Sequence, residues 1–190
     1  SMAPGGGSIS AYVGALGVSL GTMVANLSAH KAGWDDRWDF FSDWAIKGQE
    51  YKEQLLFLVD EDTNAFNKII DGFRMPKDTD LEKKIRLEAI ENATKYATEI
   101  PFKVMETSFK SMEVMQAMLK DGLKNSLSDA GVGVLCARAA IIGAYFNVRI
   151  NAKDIKDRDF ATTILNKANI IYEKTIALEQ ETITYLDTKM

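Results

Sequence analysis

Histidine and cysteine are almost missing from this chain: His30 and Cys136 stand alone among 190 residues. One cysteine excludes an intramolecular disulfide framework and suits a reducing, cytoplasmic setting. One histidine excludes a His-rich metal site, so no metal is expected. Prolines number only three, Pro4, Pro76 and Pro101, and no Asn-Gly hairpin turn lies between alternating strands, which removes the usual marks of a β fold. Positive charge is short as well. The net charge is −4 and no basic run is denser than Leu81–Arg86, so nucleic acid is not an expected partner. The first 29 residues carry no charge of either sign. Ile9 to Leu27 is long enough to span a bilayer, and Gly17 and Gly21 have the spacing of a close-packing motif. Ser8, Ser10, Ser19, Thr22 and Asn26 dilute it, however, and no cationic flank precedes it. The reading is a buried helix of a soluble protein, with no membrane involved.

What is present is a helical pattern. Apolar residues make up 46 % of the chain and charged residues 26 %, the balance of a soluble globule with a real core. The length suits one domain over residues 1–190. Apolar spacing is helical nearly throughout. Helices are expected from about Ser8 to His30, Arg37 to Arg74, Asp80 to Leu119, Asp129 to Asn151, and Asp157 or Arg158 to Asp187. Met75-Pro76 stops the second. Thr79 and Glu82 have capping-box spacing and open the third. Pro101 predicts a kink or break in it near Ile100. The fourth is nearly uncharged and is expected to be buried almost all round. The fold class is all-α, a bundle of about five long helices.

Candidate chemistry concentrates in Leu58–Lys77, LVDEDTNAFNKIIDGFRMPK. On a helical wheel Leu55, Val59, Phe66, Ile69 and Phe73 form one stripe, and Asp62 fills its gap. Asp60 falls on a polar stripe with Asn64 and Asn67; Glu61 shares a third face with Phe57 and Lys68. A carboxylate facing apolar groups loses hydration, which favours its protonated form. Such a group suits general acid–base work, or it is a structural carboxylate paired with an arginine of another helix. The start PGGGSISA offers close backbone approach at Gly5, Gly6 and Gly7 and helix N–H groups for an anion. It has no Walker or dinucleotide pattern, and the plain alternative is a tail with Ser8 as N-cap. Asp129 suits a helix N-terminus. Arg138 lies mid-run in an uncharged segment and needs a carboxylate, from a ligand or from the protein. Asn147 and Asn151 share one helix face. Arg74 and Lys77 flank Pro76 and could attract an anion or simply be solvated. Cys136 reads as a buried small residue, the three tryptophans as packing, and His30 as a helix-end residue.

Three blocks together, APGGGSISAYVGALGVSLGTMV, LVDEDTNAFNKIIDGFRMPK and SDAGVGVLCARAAIIGAYFNVRIN, resemble the cyclodeaminase/cyclohydrolase family of folate enzymes. These are the C-terminal domain of formiminotransferase-cyclodeaminase and stand-alone methenyltetrahydrofolate cyclohydrolases. The resemblance covers essentially the whole chain, in order, with no transferase half. A short N-terminal segment usual in the family is expected to be missing before the glycine block. The resemblance implies an all-helical homodimer with a folate site near the subunit interface. It implies closure of 5-formiminotetrahydrofolate to 5,10-methenyltetrahydrofolate with loss of ammonia, or in the second branch hydrolysis of the methenyl form. Its catalytic aspartate is the second acid of the VDxDxxAF motif, which is Asp62 here. Gly5, Gly6, Gly7, Ser8, Asp60, Asp129 and Asn147 become candidate pocket residues, and Arg74, Lys77 and Arg138 candidate anchors for a glutamate tail. No cofactor beyond the tetrahydrofolate substrate is implied. A separate formiminotransferase is a candidate partner.

Overall fold

The computed structural model describes residues 4–190. Among these the chain forms five α-helices, α1 (Gly6–Ala29), α2 (Trp38–Arg74), α3 (Asp80–Asp121), α4 (Leu127–Ala152) and α5 (Arg158–Asp187), with short 3-10 turns ahead of α2 and α4 and no strand. Local chemistry sets the ends. Met75 turns extended before Pro76 and stops α2, since a residue preceding proline is pushed out of the α region. Thr79 accepts from the Glu82 amide at 3.2 Å, and the Glu82 carboxylate accepts from the Thr79 amide at 2.8 Å, the reciprocal box that satisfies two first-turn donors. Asp157 caps α5 by accepting from the Phe160 amide at 3.0 Å. His30 is the C-cap of α1.

Two boundaries differ from expectation. α1 starts at Gly6 with Gly5 as N-cap, so Ser8 lies inside the first turn. α3 runs unbroken through Pro101. Proline cannot donate to the carbonyl four residues back, that of Ala97. A donor from another helix replaces it: Asn151 Nδ2 reaches Ala97 O at 2.7 Å.

Neighbouring helices alternate in direction. Along α1, Ser8 meets Asp62, Gly14 meets Leu55, and Thr22 meets Gly48, so α2 runs antiparallel to it. α4 is antiparallel too: Gly6 lies against Asn147 and Gly17 against Gly133. α3 runs parallel, with Gly14 beside Ser108 and Gly21 beside Met115. α1 thus packs against α2, α3 and α4. A Cβ on Gly17 or on Gly133 would stand 2.8 Å from the other's carbonyl oxygen, so these two positions are where α1 and α4 touch through their backbones. The core between the helices is filled by Val18, Val24, Leu55, Ile100, Met105, Met112, Met115, Met118 and Ile141, all essentially inaccessible.

The buried seam of α2 is narrower than its sequence stripe. Leu55, Leu58, Ala65 and Gly72 are buried, and Asp62 and Ile69 complete the three–four repeat half-buried. Phe66 and Phe73, placed on the stripe by the wheel, are 52 % and 55 % exposed. A bundle helix with close neighbours buries a seam of two residues per heptad, and these rings fall just outside it. α4 also departs from expectation. It is buried on one side only; Val132, Leu135, Phe146 and Ile150 are 45–58 % exposed. By length and composition α1 and Lys124–Ala152 could each cross a membrane, with 56 % and 44 % of their most apolar windows buried in the bundle.

Candidate active site

Asp62 is where the wheel puts it, on the inner seam of α2, but what it faces is the first turn of α1. Its Oδ2 accepts from the Ser8 amide at 2.8 Å and from the Ser8 hydroxyl at 2.9 Å. The Thr63 hydroxyl lies 3.4 Å from that of Ser8. A helix N-terminus has four N–H groups without intrahelical partners and a partial positive charge, and a carboxylate from α2 supplies the acceptor. The desolvated aspartate expected from the sequence is therefore half-buried and held by protein donors in place of water. Among the described residues no arginine pairs with it; Ser8 takes that role.

Glycine at position 7 makes the approach feasible. A Cβ there would overlap the Asp62 carboxylate, whereas one on Gly5 would lie 3.8 Å from Oδ2. Above this contact a cavity of about 190 Å³ opens, lined by Gly5, Gly6, Asp62, Thr63, Phe66, Ile69, Ala97, Asn147 and Asn151. The lining thus mixes an apolar ring and a branched chain with a carboxylate, a hydroxyl and two amides. Such a mixture suits a flat, partly polar ligand. The Asp62 carboxylate lines this cavity, so a bound group can come within proton-exchange distance of it, the geometric requirement for general acid–base work.

Glu61, which the wheel placed on a third face with Phe57 and Lys68, is half-buried and bound by α3. The Tyr96 hydroxyl donates to its Oε1 at 2.5 Å, and Lys68 Nζ lies 3.9 Å over the Tyr96 ring. The Glu61 hydrogen bond, with burial behind it, pushes the Tyr96 phenol up to about 12. The pair ties α2 to α3 one residue from Asp62.

Of the expected site residues, Gly5, Gly6, Asp62 and Asn147 share the cavity, and Gly7 and Ser8 lie directly beneath it. Asp60 is exposed and outside its lining. Asp129 sits in the first turn of α4, roughly 27 Å along the helix from Asn147. Arg138 is taken by the protein: its Nε is 3.1 Å from Glu179 Oε2 on α5, a charge contact in which the N–H is not aligned on the oxygen. Arg74 lies 3.7 Å from Asp71 and is largely exposed. Lys77 is exposed in the turn after α2. Arg74 is roughly 18 Å beyond Asp62 along α2. Thr63, Phe66, Ile69, Ala97 and Asn151 complete the lining without having been singled out as pocket residues. One signal could have found Asn151, because Pro101 frees a carbonyl that a polar side chain must satisfy.

A larger cavity of about 910 Å³ occupies the opposite end of the bundle, lined by Lys31, Arg37, Lys120, Lys124 and Lys189 among others. Its single carboxylate, Asp121, pairs with Arg37 at 3.4 Å, so no carboxylate is free there. No group of three His, Cys, Asp or Glu side chains able to hold a metal ion occurs among the described residues.

The family model described as formiminotransferase-cyclodeaminase matches residues 1–170. The chain belongs to the formiminotransferase-cyclodeaminase family. Within that family it is 30 % identical to methenyltetrahydrofolate cyclohydrolase of Methylorubrum extorquens over 98 % of this chain and 90 % of that protein. It is 33 % identical to formimidoyltransferase-cyclodeaminase of Gallus gallus over 85 % of this chain but 30 % of the longer protein. The chain thus spans about a third of the bifunctional relatives it matches. The crystal structure of formiminotetrahydrofolate cyclodeaminase from Thermotoga maritima superposes with a TM-score of 0.84 at 25 % identity, covering 97 % of this chain and 88 % of that one. The all-α bundle is therefore a family property, and the family's named members are folate enzymes.

Proposed function

We propose that the chain is a formiminotetrahydrofolate cyclodeaminase, with Asp62 as its general acid and base. The observation that carries the reading is the Asp62 carboxylate, held on one oxygen by Ser8 and lining a cavity of mixed apolar and polar groups. The substrate carries its formimino group on N5 as the protonated amidinium, –CH=NH₂⁺, the form ordinary for an amidine at neutral pH. N10 attacks the formimino carbon, forming a C–N10 bond and a tetrahedral centre. Asp62 takes the N10 proton and returns it to the exocyclic nitrogen. The bond from carbon to that nitrogen breaks, ammonia leaves, and the 5,10-methenyl cation remains. One carboxylate serves both transfers because each leaves it ready for the other. Holding N10 against the carbon converts encounter into an intramolecular step. Loading the formimino group onto N5 is the work of a formiminotransferase, which would act before this enzyme.

The second reading is hydrolysis of the methenyl ring to 10-formyltetrahydrofolate, with Asp62 taking a proton from the attacking water. The near full-length likeness to the Methylorubrum cyclohydrolase supports it. The assay is direct: ammonia release from 5-formiminotetrahydrofolate against decay of methenyl absorbance. Enzyme-dependent ammonia supports the deaminase. Methenyl decay with no ammonia at any enzyme concentration rejects it in favour of the hydrolase.

The working unit proposed is a homodimer. Ile9, Tyr12, Leu16, Met23 and Leu27 form an apolar stripe along α1, each 38–48 % exposed. The exposed apolar residues of α4 lie on its antiparallel neighbour. α1 contains no charged residue to keep that face in water, and an apolar face of this length on a soluble protein marks an interaction surface. A second copy of the chain covers it.

A further inference from the structure

Pro101 removes one donor from the hydrogen-bond ladder of α3. The Ala97 carbonyl would ordinarily accept from residue 101, and proline has no proton to give. Asn151 Nδ2 donates instead, at 2.7 Å. Only the NH₂ end of an amide can face a carbonyl oxygen, so this contact fixes which way the Asn151 amide points. One turn earlier Asn147 Nδ2 donates to the Gly143 carbonyl at 2.9 Å, which fixes the second amide in the same sense. Both side chains line the cavity with Asp62. Each spends a donor on backbone, and neither Oδ1 meets a protein donor among the described residues. The Ser8 amide and hydroxyl are spent on Asp62. The oriented amides therefore leave two amide oxygens as acceptors in the lining, beside the Asp62 carboxylate.

Building on the proposed folate chemistry, we propose that Asn151 is a specificity-determining residue, oriented by the carbonyl that Pro101 frees, and that with Asn147 it recognises an N–H edge of the reduced pterin. The reduced ring offers such an edge through its 2-amino group and N3–H. An acceptor edge is disfavoured at the two Oδ1 atoms, because its lone pairs would face those oxygens with no proton between them. Asn151 acts in binding, while Asp62 moves the proton. Its substitution raises KM and leaves kcat nearly unchanged.

The test is a double-mutant cycle on Asn151→Ala and Pro101→Ala, reading unfolding midpoints and calorimetric binding of 5-formyltetrahydrofolate, a reduced folate that cannot cyclise by losing ammonia. In the Pro101 background, Asn151→Ala leaves the Ala97 carbonyl unsatisfied, so stability and affinity both fall, affinity by about tenfold. In the Pro101→Ala background the helix supplies its own donor. There Asn151→Ala costs little stability, and the loss of about tenfold in affinity persists. Should Asn151→Ala alone fail to fold, the comparison of Pro101→Ala with the double variant carries the test. Affinity that recovers together with stability in the double variant, or a folded Asn151→Ala protein that binds as the wild type does, overturns the inference. Those outcomes leave the proposed function standing if the wild type binds. A wild type that binds no reduced folate overturns both.

Discussion

Gly7 is the residue on which the geometry of Asp62 depends most closely. Nothing larger than hydrogen fits between the first turn of α1 and the carboxylate. Gly7→Ala is expected to push the two apart, costing about 1–3 kcal/mol through overpacking. Displacement of the acid–base group is expected to cut turnover by about 100-fold. Urea unfolding and steady-state rates measure the two effects separately, and a Gly7→Ala enzyme with wild-type turnover contradicts the placement. Tyr96 gives a second handle one residue from Asp62. Its phenol is pushed up to about 12 by its bond to Glu61, so the folded state holds that proton more tightly than the unfolded state. The stabilisation is whole below the ordinary tyrosine value near 10 and is lost as pH rises from there toward about 12. Urea midpoints at about pH 9 and about pH 11 should differ less in Tyr96→Phe than in the wild type. An equal difference in both removes Tyr96 as a source of the alkaline loss.

Helix ends carry most of what the sequence made legible, and also its main failure. The stop of α2 at Met75-Pro76, the capping box of α3 and the cap of α5 at Asp157 are local signals, each written within four residues. Thr79→Ala is expected to lower the melting temperature by about 2–4 °C with activity unchanged; calorimetry and the ammonia assay check both halves. The start of α1 was not legible in the same way. Ser8 has the right residue type for a cap, but the acceptor for that turn comes from Asp62, in another helix and 54 positions away. Glycine-rich starts say only that something approaches closely. The continuity of α3 through Pro101 likewise depends on Asn151, which no reading of α3 alone includes.

For the molecule as a whole, helical periodicity and two nearly uncharged segments were enough to give a five-helix bundle, because burial patterns survive in a single sequence. The cavity lining was legible at Asp62, where one carboxylate interrupts an apolar seam, at the glycines that precede a helix, and at Asn147. Arg138 shows the limit: an isolated cation in an apolar run announces that it has a carboxylate, and only the packing of α5 reveals that the partner is Glu179. The apolar face of α1 and α4 has the opposite history. Sequence alone read those helices as core, and the packing leaves one side of each uncovered. The wild type is expected to sediment at twice its 21.1 kDa chain mass, and Leu16→Glu as the single chain. A wild type that stays monomeric at about micromolar concentration, where an extensive apolar interface should hold, contradicts the dimer.

The central claim is that Asp62 carries the proton in both halves of the reaction, and Asp62→Asn addresses it most directly. The amide can still accept from Ser8 through its oxygen, so the fold and the capped turn of α1 should survive. Ammonia release from 5-formiminotetrahydrofolate is expected to fall by about 100-fold or more, with reduced-folate binding retained. A folded Asp62→Asn enzyme that releases ammonia at the wild-type rate would contradict the account.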